Sequence, residues 1–157
     1  MSSRTPHAVA PAPGAQRAEY EADFYSWSLD QARLIRARQW ARVDIENIAE
    51  EIESLGRGEF NKLESALRVL LTHILKWDYQ PRKRSRSWAL SIKAQRIEVE
   101  DVLADNPGLK SRLDEAIARA YRKARLEAAK ETGLDESVFP ETCGHGFTEM
   151  MQRDVAR

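Results

Sequence analysis

Between Glu59 and Asp78 the apolar side chains return every third or fourth residue: Phe60, Leu63, Leu67, Leu70, Ile74 and Trp77. Ala66, Leu71 and Leu75 widen this seam into a stripe. Such spacing places the whole set on one side of a helix of 3.6 residues per turn. A stripe that wide leaves water only by packing against further helices. The segment therefore commits the chain to an all-α fold with a long central helix at about 59–78. Nowhere does the sequence carry the two-residue alternation of a half-buried strand.

The flanking sequence supplies the partners. Tyr20, Phe24, Trp27, Gln31 and Leu34 share a helical face, which predicts a first helix at about 20–38. Ser28 and Gln31 could instead form a capping box that starts it one or two turns later. Asp44 reads as the N-cap of a second helix whose stripe is Ile45, Ile48, Ile52 and Leu55, with Glu46, Glu50 and Glu53 on its other face. Gly56 and Gly58 are expected to end that helix and turn the chain into the central one, which stops at Pro81. Ser85 or Ser87 caps a fourth helix with a Trp88, Ile92, Val99 and Leu103 seam, interrupted by Gln95. Asp105-Asn106-Pro107-Gly108 stops it and restarts a fifth at about 107–132, which buries Leu109, Leu113, Ile117, Ala120, Ala124 and Ala128. Gly133 closes the fifth helix, Leu134, Val138 and Phe139 cover an end of the core, and a short last helix spans about Phe147–Arg153.

Short connections make the third, fourth and fifth helices antiparallel neighbours. The expected architecture is an antiparallel helical bundle of about five main helices, with an N-terminal helical hairpin packed on a three-helix core. Residues 1–18, rich in Ala and Pro and without periodicity, read as a flexible tail. Residues 19–157 read as a single helical domain.

Bulk properties narrow the function classes. Lys and Arg together number 25, as do Asp and Glu, so no net charge marks the whole surface for a polyanion. Cys143 is the only cysteine, which removes internal disulfides and cysteine-based zinc sites. His7, His73 and His145 are scattered, and no Glu-x-x-His pair recurs on facing helices, so neither a metal nor another cofactor is expected. No stretch approaches the roughly 20 apolar residues of a membrane span, and the first residues lack the apolar core of a signal peptide. A cytoplasmic protein is expected.

Two groups of residues invite a chemical reading. Arg68 and His73 spell R-x4-H on the central helix, a spacing that resembles the signature of HEPN ribonucleases. In such a pair the arginine stabilises phosphate charge and the histidine moves a 2′-hydroxyl proton. Five residues of about 100° each, however, set the two side chains about 140° apart on one helix. The favoured reading is structural, with Arg68 paired to a carboxylate of the second helix and His73 at the bundle edge. The second group is Arg82, Lys83, Arg84, Ser85, Arg86 and Ser87, the densest basic cluster, with Trp77, Tyr79 and Trp88 close in sequence. It suits a phosphate at a helix N-terminus or a nucleic-acid backbone. Equally, it complements residues 19–53, which hold nine acidic and four basic groups. On that internal reading Trp77 and Trp88, like Trp27 in the first helix, are structural aromatics.

Several stretches together resemble one bacterial family: YEADFYSW with QARLIR, DIENIAEEIESLGRGE, ESALRVLLTHILKWDYQP, SRSW, DNP and FPETC. It is the family named "domain of unknown function 29", and the likeness covers about residues 19–150. It implies an all-α fold of small cytoplasmic proteins with no assigned activity. Members often continue into an acidic, aromatic tail, whereas this sequence ends in DVAR. The functional expectation is a non-enzymatic helical module that self-associates or binds another protein, possible as a homodimer. Tyr25, Leu29, Ile35, Trp40 and Leu90 fall off the main seams and leave apolar surface for such an interface. The alternative is a HEPN-like RNA-cleaving or nucleic-acid-binding protein using Arg68, His73 and residues 82–86.

Overall fold

A computed structural model of the protein describes residues 19–155. The flexible tail expected at residues 1–18 lies outside the described residues. Every regular element among them is helical: α1 (Phe24–Arg36), α2 (Ile45–Tyr79), α3 (Arg86–Asp105), α4 (Leu113–Thr132) and α5 (Phe147–Gln152). Short 3-10 turns at Trp40–Arg42, Pro81–Lys83, Pro107–Arg112 and Glu136–Val138 connect or extend them. The chain divides into two compact units at Leu55/Gly56.

In the first unit α1 is capped by Asp23, whose carboxylate accepts from the Ser26 amide at 3.0 Å. It ends with Arg38 in the left-handed region at φ 55°, where Arg38 and Gln39 donate to the Ile35 and Leu34 carbonyls. Only Trp27, Gln31 and Leu34 of α1 are buried. The Trp27 indole donates to Asp44 Oδ2 at 3.2 Å, and the Gln31 carbonyl accepts from the Asp44 amide at 2.8 Å. Tyr20 packs edge-on to Trp27 and donates to Glu51, which pushes its phenol up to about 12. This hairpin is held by a narrow polar seam. The second-helix stripe expected to be buried is therefore largely in solvent, with Ile45 64%, Ile52 63% and Leu55 72% exposed.

The break expected at Gly56 and Gly58 does not occur, because α2 runs unbroken from Ile45 to Tyr79. A glycine inside a helix costs about 1 kcal/mol relative to alanine, which strong helix formers on both sides offset. Neither glycine takes the left-handed conformation that ends helices; among described glycines that is Gly133, at φ 73°. A Cβ added at Gly58 meets nothing within 4 Å. Gly58→Ala is therefore expected to raise stability by about 1 kcal/mol, read as a higher urea midpoint.

In the second unit the central seam is buried as its spacing requires: Leu63, Leu67 and Leu70 are fully enclosed, as are Ile92 and Val99 of α3 and Ala116, Ala120, Ala124 and Ala128 of α4. Ser85 caps α3 by accepting from the Trp88 amide, and Gly133 closes α4. Asn106, at the end of α3, reaches Glu59, whereas Lys76, near the end of α2, lies over Trp88 in the first turn of α3. Hence α2 and α3 are antiparallel. Phe139, Met150 and Val155 close the core from the C-terminal segment.

Candidate functional site

The R-x4-H arginine is part of a charge ladder between α2 and α4. Residues 64, 68, 72 and 76 stand one turn apart on α2 and meet residues 119, 123, 127 and 131, also one turn apart on α4. Contacts advance in the same direction along both helices, so the two run parallel. Buried Glu64 is gripped by Arg119 Nε at 3.0 Å and Lys123 Nζ at 2.7 Å. Its Oε2 accepts no well-directed hydrogen bond and is held by the Arg119 charge instead. Arg68 Nη1 lies 2.5 Å from Glu127 Oε1, and the Thr72 hydroxyl shares its proton between the Arg68 carbonyl at 2.8 Å and the other oxygen of that carboxylate at 3.2 Å. Lys76 pairs with Glu131. The partner of Arg68 is thus on α4 and not on the second predicted helix. The signal for this pairing was one acid followed by cations at four-residue spacing on α2 (Glu64, Arg68, Lys76) and two cations followed by two acids at the same spacing on α4 (Arg119, Lys123, Glu127, Glu131). His73 points elsewhere, its Nδ1 lying 2.8 Å from the Val69 carbonyl.

Within the basic segment the six residues divide. Arg84 turns inward, donating to the Trp77 carbonyl at 2.9 Å with its guanidinium 5.1 Å from the Trp77 ring centre. Ser85 is used as the α3 cap. Arg82, Lys83, Arg86 and Ser87 are exposed, and the three cations form no ion pair among the described residues. Trp77 is buried, Trp88 is half-buried beneath the Lys76 ammonium at 4.6 Å, and Trp27 anchors the hairpin.

A third cluster has no sequence signature. Asp78 accepts two bonds from Arg153, at 2.6 and 3.0 Å, and faces His145 Nε2 at 3.3 Å. The other ring nitrogen of His145 lies 3.0 Å from Glu149. Arg96 donates to the Met150 and Arg153 carbonyls, and burial pushes its guanidinium below its ordinary range. Beside this network is a cleft of about 470 Å³ lined by Ile117, Tyr121, Cys143, His145 and Phe147 among others. Its reactive groups are engaged: Tyr121 donates to the Pro140 carbonyl at 2.8 Å, and the Cys143 thiol, pushed up by burial, donates to the His145 carbonyl. The arrangement ties the C-terminal segment to α2 and α3 and pairs no nucleophile with a base. Among the described residues no group of three or more His, Cys, Asp or Glu side chains is placed to hold a metal ion.

What the surface does offer is apolar area. Tyr25, Leu29, Ile35, Trp40 and Leu90 are all exposed, as are Ile45, Ile52, Leu55 and Ile97. No helix among the described residues is long and apolar enough to cross a membrane.

The chain matches no curated protein and no solved structure. Residues 19–156, which include every described element, match the family described as Domain of unknown function DUF29. The all-α fold and the long motifs agree with that match, and the chain belongs to this family.

Proposed function

We propose that the protein is a non-catalytic helical module that works by self-association. The observation that carries this reading is the row Ile45, Ile52 and Leu55, more than 60% exposed at helical spacing on the first turns of α2. A helix face with that spacing is built for burial, and a solvated one marks an interaction site. Light scattering on the purified full chain is the test, with a stable dimer expected at micromolar concentration. Ile52→Ser with Leu55→Ser should return it to a monomer without loss of helicity. A wild-type chain that stays monomeric sinks this reading.

The engagement of Arg68 by Glu127 weighs against RNA cleavage through the R-x4-H pair. Arg68→Ala leaves Glu127 with only Thr72 and should cost about 1 kcal/mol of stability, as expected for a half-exposed ion pair. His73→Ala should change stability less. Neither variant should alter the behaviour of the protein toward a single-stranded RNA oligomer, and wild-type cleavage lost in both would overturn the assignment.

A further inference from the structure

Four cations of the second unit stand apart from its ion pairs. Arg82 and Lys83, in the turn before α3, and Arg86 and Lys93, on the helix itself, are exposed and form no ion pair among the described residues. Elsewhere in the unit Lys62, Arg68, Lys76, Arg119, Lys123 and Arg153 each meet a carboxylate. The acids nearest in sequence do not neutralise the four. Asp78, at the end of α2, is taken by Arg153 and His145, and the first carboxylate along α3 is Glu98, beyond Lys93 and acting on Lys62.

Folding gives no reason for this cluster. Arg86 is the first residue of α3, and Arg82 and Lys83 lie just before it. There the partial positive charge of a helix N-terminus repels cations, and the first turn of α3 holds no acid to offset them. Charges kept against the helix dipole point to a negatively charged partner outside the unit.

The neighbouring side chains indicate its kind. Arg86 and Lys93 lie two turns apart, about 10 Å along one face of α3. Ser87 and Ser91 bring hydroxyls to the shallow hollow beside Arg86. Cations and hydroxyls in a row are donors to phosphate oxygens. Bases splayed from a single strand would also need exposed rings to stack on. The rings near this face are engaged: Trp77 is buried, Trp88 is half-buried beneath the Lys76 ammonium, and Tyr79 packs edge-on against Phe139 with ring centres 4.9 Å apart. Leu90, exposed between Arg86 and Lys93, is too little apolar surface to seat the helix in a lipid layer. The face therefore suits phosphates whose bases are already stacked away from the protein.

We propose that Arg82, Lys83, Arg86 and Lys93 bind the backbone of a double-stranded nucleic acid without reading its sequence. This reading is independent of self-association. Four phosphate contacts correspond to a slope of log K against log salt of about −3.6. The balanced charge of the whole chain adds no attraction from farther away.

Fluorescence anisotropy of the full chain on a short DNA duplex tests it. Binding should weaken roughly 100-fold between about 50 and 200 mM salt and should be the same for a second duplex of unrelated sequence. Replacing all four cations with glutamine should remove it, and Lys93→Gln alone should reduce the slope by about 0.9. Lys110→Gln with Lys130→Gln, at exposed cations elsewhere on the unit, should leave it unchanged. Arg86→Glu should weaken binding at least tenfold while raising the melting temperature by about 2 °C, because an acid suits the first helical turn. A wild type that ignores the duplex at low salt, a four-glutamine variant that binds it equally, or tighter binding to the single strand overturns the proposal. So does a four-glutamine variant that keeps the duplex and loses only phosphatidylglycerol vesicles, since the face then serves a lipid surface. An Arg86→Glu chain that binds normally and melts lower shows that the cations serve the fold instead.

Discussion

Leu70→Ala will destabilise the second unit by about 3 kcal/mol, within the 2–5 kcal/mol range for leucine truncation in a packed core. Leu70 has no exposed surface, and its neighbours along the seam, Leu67, Leu71 and Ile74, are equally enclosed. The lost side chain forfeits its transfer energy and leaves a cavity that the surrounding helices fill only in part. Collapse is restricted here because α2 is tied to α4 by the Glu64, Arg68 and Lys76 contacts and cannot slide inward freely. For a unit of this size the loss corresponds to a fall in melting temperature of roughly 10 °C, measured by circular dichroism. Leu90→Ala is the control. Leu90 is 53% exposed, so its truncation should shift the melting temperature by no more than a degree or two. Equal losses in the two variants would mean that the central seam is not the core.

The central seam was legible because period and composition agree along it. Each residue of the seam from Phe60 to Trp77 falls where a helix needs it and is buried, and only Val69 among the apolar residues of that stretch is half-exposed. Asp44 and Gly133 were equally plain as caps, since they act through backbone groups only a few residues away, whereas Ser85 and Ser87 stood as alternatives and Asp23 was missed. Failures arose where the outcome depends on residues far apart. The Ile45–Leu55 stripe has the period of a buried face, but period reports only that a face is apolar and says nothing of what covers it. Gly56 and Gly58 carry a stop signal that the strong helix formers on both sides override, at a cost of about 1 kcal/mol each.

Side-chain partners were less legible than elements. Arg68 needed a carboxylate, and several helices offered one; only the parallel alignment of α2 with α4 selects Glu127. The Asp78–His145–Arg153 network joins residues as many as 75 positions apart, and no spacing rule reaches that far. The basic segment mixes both cases. Arg84 and Ser85 are consumed locally, whereas Arg82, Lys83 and Arg86 stay in solvent, although the four cations look alike in the sequence.

Asp44→Ala will unfold the hairpin of residues 19–55 while leaving the second unit folded. Asp44 is buried and serves three donors: the Trp27 indole, the Asn47 amide and the Asn47 side chain. Alanine removes the N-cap of α2, worth about 1 kcal/mol, and leaves the Trp27 N–H buried without an acceptor, worth a further 1–3 kcal/mol. The hairpin has little with which to absorb a loss of that size. Apart from Asp44 its buried residues are Trp27, Gln31 and Leu34, and the Gln31 bond to the backbone amide of residue 44 is the one contact there that alanine keeps. Hydrogen exchange should show protection lost across Phe24–Arg36 and retained across residues 63–77. Asp44→Asn should recover part of it, because an amide oxygen accepts from either the helix amide or the indole but lacks the charge that strengthens both bonds. The same variant separates folding from association. If the hairpin presents the dimer face, Asp44→Ala will be monomeric with an intact second unit; a dimer that survives hairpin unfolding would place the interface elsewhere.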